Sequence, residues 1–197
     1  MLNLNTRMNT KEKILFSALS LIDFKPFPQI STKEIAKNAG ISEGAIFRHF
    51  KNKNEILEQL CQHFLNIVTH LNLESIKNEP QFKKNLIDFF LSLQQTKTQI
   101  YKLVLYISMY KPEQFKIFNK IIKDKVYKQI ENTIKKNQIK WSYKKNINIK
   151  IHVRLLMYSI YFFTIQQDVF GADKIEKFDM KNVIETSVNN FIYGLKK

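Results

Sequence analysis

The stretch Ser31–Lys53, STKEIAKNAGISEGAIFRHFKNK, decides the fold of the N-terminal part of this chain. Ser31 precedes Glu34 at the spacing of a capping box, which begins a helix. Gly40 suits the left-handed position that ends a helix, and Ser42 suits the cap of the next one. Two short helices joined by a tight glycine turn predict a helix-turn-helix.

The second predicted helix has two distinct faces. Ile46 and Phe50 recur at helical spacing and point back toward the first helix, where Ala36 leaves room for a close crossing. The helical rotation then turns Gly44 and Arg48 to the opposite side. This outward face carries a small residue, Gly44, followed by a basic one, Arg48, as expected of a helix that enters the major groove of DNA. The alternative interpretation is an ordinary corner between two helices.

Residues 9–58 resemble the N-terminal DNA-binding domain of the TetR family of bacterial transcriptional regulators. The resemblance covers about a quarter of the chain. It rests on the combined spacing of I-A-x-x-A-G-I at 35–41, G-A-I-F-R-H-F at 44–50 and K-N-K-x-E-I-L at 51–57.

The resemblance implies a set of residues that contact DNA. Those near backbone phosphates are Thr32, Phe47, His49 and Lys53, with Ser42 at the N-terminus of the recognition helix. Side-chain chemistry adds three residues that can hydrogen-bond base edges: Lys33, which also matches a family position that can reach a guanine, Glu43 and Arg48. Gly44 and Ala45 are small enough to let the helix approach closely.

Three of these positions have open interpretations. Arg48 is the best-directed candidate for guanine O6 and N7, but it could instead bind only a phosphate. Phe47 stands where the family usually has Tyr, so the hydroxyl that would meet a phosphate is missing. Glu43 places an acid at the front of the recognition helix, where it must meet a base donor or weaken binding.

The composition predicts an all-α protein of one or two compact units with about nine helices. The chain has 197 residues, of which 44% are hydrophobic, and only 4 Gly and 4 Pro. No segment alternates with period two for long enough to predict a sheet. The net charge of +15 is mostly outside the helix-turn-helix, since residues 1–58 carry +3 and residues 59–197 carry +12. Such a field would speed encounter with DNA.

Hydrophobic periodicity and caps predict the remaining organisation. A helix-turn-helix domain at 9–58 is followed by a helical domain for effector binding and dimerisation at 59–197. The first helix begins at Asn9 and the fourth extends to about residue 73. The later helices are predicted at 81–95, 98–110, 112–137 and 149–169, with an exposed connection at 138–148 and a last helix from Asp179 to Tyr193, stopped by Gly194.

The last two predicted helices are apolar beyond what a single packing face needs. The resemblance implies that they pair with their two-fold mates in a four-helix dimer interface; the alternative is that they only close the core of the monomer. The stripe of the final helix consists of Met180, Val183, Ile184, Ser187, Val188, Phe191, Ile192 and Leu195.

The resemblance also implies a small-molecule effector pocket in the second domain. A surplus of aromatic residues favours a flat or hydrophobic effector, whereas the positive charge of the second domain is also compatible with an anionic effector. The same residues could simply be core side chains. The candidates are His63, Asn66, Tyr101, Tyr106, Tyr110, Phe162 and Gln166.

Signals for other functions are weak. No catalytic, phosphate-binding or metal-binding motif is present, so no enzyme activity, cofactor or metal is expected. Cys61 is the single cysteine, which excludes an internal disulfide and fits a reducing cytoplasm. The apolar run Leu155–Ile165 is shorter than the roughly 20 residues of a membrane span, and the N-terminus lacks the core of a signal peptide.

The sequence therefore predicts a dimeric, ligand-responsive repressor that binds a palindromic operator in double-stranded DNA. Two other classes stay open. One is a binding module that keeps this fold without operator recognition, and the other is an unrecognised all-α enzyme.

Overall fold

The computed structural model describes residues 8–94 and 98–197, and it divides into two compact units. The first unit comprises residues up to Phe64 together with Gln99–Phe115. The second comprises Leu65–Thr98 and Lys116–Lys197. The predicted division after residue 58 stays a prediction, because the division by compactness also assigns most of one later helix to the first unit.

The described residues form α-helices without a strand, which confirms the all-α prediction. A π turn at Lys123–Tyr127 joins two helices into one continuous rod, and a second at Ile165–Val169 extends another. Counted as rods, the described helices number nine. The α-helices are α1 (Thr10–Leu21), α2 (Thr32–Ala39), α3 (Glu43–His49), α4 (Lys53–Val68), α5 (Glu79–Gln94), α6 (Thr98–Tyr110), α7 (Pro112–Ile122), α8 (Lys128–Asn137), α9 (Ile149–Thr164) and α10 (Met180–Leu195).

The predicted caps of the early helices are present. Asn9 and Glu12 form a capping box at the start of α1, each side chain accepting from the other's backbone N–H at 2.9 Å. Asn52 Oδ1 accepts from the N–H of Glu55 at 3.1 Å at the start of α4. These side chains satisfy backbone donors that the first helical turn leaves unpaired.

Two predicted helix ends were wrong by a few residues. α4 ends at Val68 rather than near residue 73. Leu71 and Leu73 are still buried, but in the segment without regular structure that follows the helix, and their burial continued the apolar pattern past the helix end. α10 runs through Gly194 to Leu195, because Gly194 does not adopt a left-handed conformation.

The connection at 138–148 was predicted to be exposed, and this is wrong for its aromatic residues. Trp141 is 6% exposed and Tyr143 is 1% exposed. Trp141 stacks on Phe82 of α5 with ring centroids 5.3 Å apart. The backbone of Lys144 donates to the carbonyl of Leu195 at 2.8 Å, so the C-terminal segment covers this loop.

The second unit is built around α10, which packs on α5 and α9. The apolar stripe of α10 packs inside the unit, since Ile184, Val188 and Leu195 are fully buried. The α8–α9 contact holds a charged pair, in which the Arg154 guanidinium donates to the almost fully buried Glu131 carboxylate at 2.6 Å. The guanidinium also lies 4.0 Å from the centre of the Tyr127 ring.

Candidate DNA-binding site

The start of α2 is fixed by its capping box and an ion pair. Ser31 Oγ accepts from the backbone N–H of Glu34 at 3.2 Å, and the Glu34 carboxylate accepts in return from the N–H of Ser31 at 2.8 Å. The same carboxylate accepts from the Lys25 ammonium at 2.5 Å. The Lys25 contact and then the two bonds from Ser31 lower the pKa of Glu34 to about 2. The carboxylate therefore stays ionised and holds the first turn of α2 in place.

The turn between α2 and α3 is set by Gly40. Its φ of 68° lies in the left-handed region, which side chains with a Cβ rarely adopt. Ser42 then caps α3, its hydroxyl accepting from the N–H of Ala45 at 3.3 Å. Ile46 and Ile35 are completely buried where the two helices cross. The crossing turns the opposite side of α3 outward.

The outward side of α3 carries the residues predicted to face DNA. Gly44 is exposed, and a Cβ added there meets nothing within 4 Å. Its backbone needs no left-handed conformation, so the fold itself gives no reason for a glycine at this position. The side chains of Lys33, Ser42, Glu43, Phe47, Arg48 and His49 are also exposed, while those of Thr32, Ala45 and Lys53 are half-buried.

Thr32 and Glu43 join the two helices of the motif. The Thr32 hydroxyl donates to the Glu43 carboxylate at 2.6 Å. Both residues were predicted to contact DNA, one at a phosphate and the other at a base. In the free protein each is the other's hydrogen-bond partner, and this bond brings the N-termini of α2 and α3 together.

Lys53 is engaged within the first unit. Its ammonium donates to the carbonyls of Pro28 at 2.8 Å and of Ile30 at 2.7 Å, and it lies 5.2 Å from the centre of the Phe27 ring. Burial and then the nearby Lys25 lower the pKa of Lys53. Lys53 therefore closes the loop that precedes α2, whatever it does toward DNA. No pattern in the sequence indicated this contact, because the loop carbonyls lie far from Lys53 along the chain.

The geometry of α2, Gly40 and α3 can be compared with known proteins. Residues 14–60 match the model of the family described as bacterial regulatory proteins, tetR family. The helix-turn-helix of this chain belongs to the TetR family. The resemblance to this family that the three short motifs indicated is thereby confirmed.

Similarity to curated relatives is confined to a part of each protein. An uncharacterized HTH-type transcriptional regulator of Bacillus subtilis strain 168, YvkB, is 45% identical over 58 residues, which are 29% of this chain and 31% of that protein. The chain spans about a third or less of the length of the curated relatives it matches.

Solved structures resemble the chain over nearly its whole length. The TetR family regulator PfmR of Thermus thermophilus has a TM-score of 0.69 at 17% identity, covering 93% of this chain and 99% of that one. NalD, the secondary repressor of the MexAB-OprM efflux pump in Pseudomonas aeruginosa, has a TM-score of 0.68 at 18% identity, covering 95% and 96%. At these identities the likeness establishes the TetR fold. The prediction that the chain is not an enzyme agrees with its match to a family of regulatory proteins.

The predicted effector residues do not line one cavity. Phe162 and Gln166 line a cavity of about 470 Å³ in the second unit, together with Phe163, Gln167 and Phe178. Gln167 is buried and holds the far wall, since its amide donates to the carbonyl of Glu176 at 3.1 Å and accepts from the N–H of Phe178 at 3.1 Å. Phe178 was not predicted, because it lies beyond a polar loop with no apolar periodicity.

The other candidates lie elsewhere. Tyr106 lines a cavity of about 390 Å³ in the first unit, between α6 and the loop after α1. Tyr101 is buried with its ring against Phe64, the centroids 6.3 Å apart. Tyr110 is 64% exposed, and its ring lies 5.5 Å from that of Tyr106. His63 and Asn66 are exposed on α4.

Two features of the described residues bear on other chemistry. No three His, Cys, Asp or Glu side chains there approach as a metal site requires, and no helix there is both long and apolar enough to cross a membrane. Burial and then the neighbouring Glu58 raise the pKa of the Cys61 thiol to about 11.

Proposed function

We propose that this chain is a transcriptional regulator that binds a palindromic operator as a dimer and is released from it by a small molecule. The single observation that supports operator binding best is Gly44, an exposed helical glycine for which the fold has no use. Glycine in a helix costs up to about 1 kcal/mol relative to alanine, so its presence here favours close approach to base edges.

Arg48 is the residue we expect to read sequence. It is exposed on the same helix, and a bidentate contact with guanine discriminates by about 1–3 kcal/mol. The test is a gel-shift with the DNA upstream of its own gene, followed by Arg48→Ala on a panel of single-base operator variants. Loss of preference at one symmetric position in each half-site supports base reading. A uniform loss with every preference intact assigns Arg48 to the backbone instead.

Dimerisation is proposed through α9 rather than equally through the last two helices. Ile151, Leu155, Tyr158 and Phe162 recur on one face of α9 and are 54–62% exposed. A row of large apolar side chains in this position is typical of an interface. The outward residues of α10 are mostly polar, because its apolar stripe is buried within the unit.

Leu155→Glu tests the interface. Leu155 is 62% exposed, so the monomer should tolerate the charge, whereas an unpaired charge in a dimer interface costs several kcal/mol. The matched control is Ile117→Glu on α7, where the isoleucine is 61% exposed. Sedimentation at micromolar concentration should show a monomer for the first variant and a dimer for the control. A monomeric wild type would refute the assignment. Val188→Glu is unsuitable, because Val188 is fully buried and its replacement would unfold the chain.

The cavity in the second unit is the proposed effector site, and it lies beside the proposed dimer interface because Tyr158 and Phe162 of α9 also line it. Its aromatic wall and the two glutamines suit a flat, mainly apolar molecule. Fluorescence titration with N-phenyl-1-naphthylamine should show binding that Phe178→Ala weakens. The control is Phe170→Ala, since Phe170 is 58% exposed and does not line the cavity. Equal binding by both variants would place the effector elsewhere. Such a regulator would act in the cytoplasm, where its operator lies.

A second candidate function has specific support. Glu43 places a carboxylate at the front of α3, Phe47 offers no hydroxyl, and Lys53 already binds two loop carbonyls. All three weaken contact with phosphates, which favours a module that keeps the fold without operator recognition. The same gel-shift decides when excess DNA of unrelated sequence is added, because this alternative predicts no retarded band that survives the competitor.

A further inference from the structure

One end of the second unit carries a concentration of uncompensated positive charge. Between Glu131 and Asp168 the sequence has no acidic residue. The only arginine in that interval, Arg154, is paired with Glu131. The lysines in the interval are Lys135, Lys136, Lys140, Lys144, Lys145 and Lys150.

The fold gathers most of these lysines around the loop at 138–148. The Gln138 amide donates to the carbonyl of Lys144 at 2.6 Å and folds the loop back onto the end of α8. The Lys140 ammonium donates to the carbonyl of Lys77 at 3.0 Å, which adds a lysine from before α5. We call the resulting set the lysine surface: Lys77, Lys135, Lys136, Lys140, Lys144 and Lys145.

One acid that the fold brings to this loop is already paired. The Glu79 carboxylate accepts from Lys196 at 2.6 Å. The contrast is with the lysines around α7, where Asp124 bonds Lys128 and lies in the field of Lys123 and Lys120, which together lower its pKa. One lysine in that region is thus paired with an acid of its own helix, whereas no ion pair within the described residues involves a member of the lysine surface.

We propose that the lysine surface binds the phosphate backbone of duplex DNA without reading its sequence. Lysines are point charges that neutralise phosphates, whereas sequence reading needs side chains that reach base edges in a fixed geometry. The aromatic residues of the loop, Trp141 and Tyr143, are buried and offer no ring on which a base stacks. The contact is therefore electrostatic and sensitive to salt.

An anionic membrane is the competing partner, and the structure favours it less. Binding in a membrane interface uses a broad apolar face beside the charges. Within residues 135–150, all of which the structure describes, Ile139 is the exposed large apolar side chain. A single isoleucine is a small anchor, and the apolar row that begins at Ile151 is assigned to the proposed dimer interface, so the lysines carry the interaction.

This second contact lies outside the helix-turn-helix and goes beyond the proposed operator binding. The two proposals can fail separately. Arg48→Ala should abolish preference for the operator but leave most of the binding to unrelated DNA. The lysine surface should bind unrelated DNA even if no operator exists.

The test compares two triple substitutions that remove the same charge from the full chain. The first is Lys135→Gln, Lys136→Gln and Lys145→Gln; these ammonium groups are exposed and have no bonded partner among the described residues. The control is Lys116→Gln, Lys120→Gln and Lys123→Gln on the exposed side of α7 and the π turn after it. Circular dichroism and the melting temperature confirm that both fold, and the double variant Lys135→Gln, Lys136→Gln replaces the first triple if it does not.

The probe is a fluorescein-labelled duplex of unrelated sequence, titrated by anisotropy from roughly 50 to 200 mM KCl. Each lost phosphate contact removes about 0.9 from the slope of log K against log salt. The first triple should bind at least about tenfold more weakly near the middle of that range, with a slope shallower by roughly 2 to 3, and the control should stay near wild type.

Two results overturn the proposal. Equal losses in both triples would mean that total charge, and not the lysine surface, governs binding. Unchanged DNA binding in the first triple, with lost binding to vesicles that contain phosphatidylserine, would assign the surface to a membrane.

Discussion

Replacing Gly44 by alanine should raise the stability of the fold while weakening its binding to DNA. A Cβ at this position meets nothing within 4 Å, and the backbone is already helical, so the change removes only the flexibility of glycine. That gain is at most about 1 kcal/mol, and less in a first helical turn. For a chain of this length it raises the melting temperature by up to about 3 °C.

The effect on DNA has the opposite sign. If α3 approaches base edges as closely as a glycine permits, the added methyl group overpacks the interface, at a cost of about 1–3 kcal/mol. Operator affinity should then fall by roughly tenfold to a hundredfold. Calorimetry gives the melting temperature, and a gel-shift or anisotropy titration gives the affinity.

Gly194→Ala is the matched control. Gly194 is also in a terminal turn, of α10, and an added Cβ there meets His152 Cδ2 at 4.0 Å, an ordinary contact. It should stabilise the fold similarly and leave DNA binding unchanged. If Gly44→Ala is more stable but binds the operator like wild type, α3 does not approach the bases at this position. If its melting temperature falls, the space around Gly44 is not open.

The polar contacts allow three further predictions. The pKa of Glu34 is lowered from 4.5 to about 2 in the folded chain, so its contribution to stability is full above pH 4.5 and is lost as pH falls toward 2. Glu34→Gln should therefore reduce the pH dependence of the free energy of unfolding between pH 4.5 and 2, as measured by urea titrations at a series of pH values. Because the Cys61 thiol has a raised pKa, iodoacetamide at mildly alkaline pH should modify the native chain far more slowly than the urea-unfolded chain, as mass spectrometry would show; equal rates would contradict its burial. Arg154→Met should destabilise the fold by about 3–5 kcal/mol, since it leaves the Glu131 carboxylate buried and unpaired, and adding Glu131→Leu should recover most of that in denaturant titrations.

The helix-turn-helix was predictable in detail because its signals are local. The capping box of Ser31 and Glu34, the glycine turn at Gly40 and the cap at Ser42 each depend on residues a few positions apart. Such bonds form wherever the chain has the right spacing, so the sequence alone indicates them. The family resemblance adds the roles toward DNA, which remain predictions.

The second unit was less predictable because its features depend on residues distant in the chain. Lysines around Trp141 indicated exposure, yet the C-terminal segment covers that loop. Periodicity gave α9 and α10 similar apolar stripes but not the neighbours that cover them: α10 packs on α5 and α9 and its Val188 is fully buried, whereas Leu155 of α9 is left exposed. The cavity wall at Phe178 depends on a side-chain contact from Gln167, which no pattern along the chain predicts.

The π turn at Lys123–Tyr127 has a consequence for insertions and deletions. Ile122, Val126, Ile130 and Ile134 are all buried, at a regular spacing of four residues, which exceeds the roughly 3.6 of an α-helix. The π turn holds one residue more than an α-helical turn. This extra residue makes up the difference in spacing and keeps the four side chains in the core. Deleting the exposed Lys125 should therefore give an unbroken α-helix with the same residues buried, whereas deleting the exposed Asn132 further along the rod should rotate Ile134 out of the core.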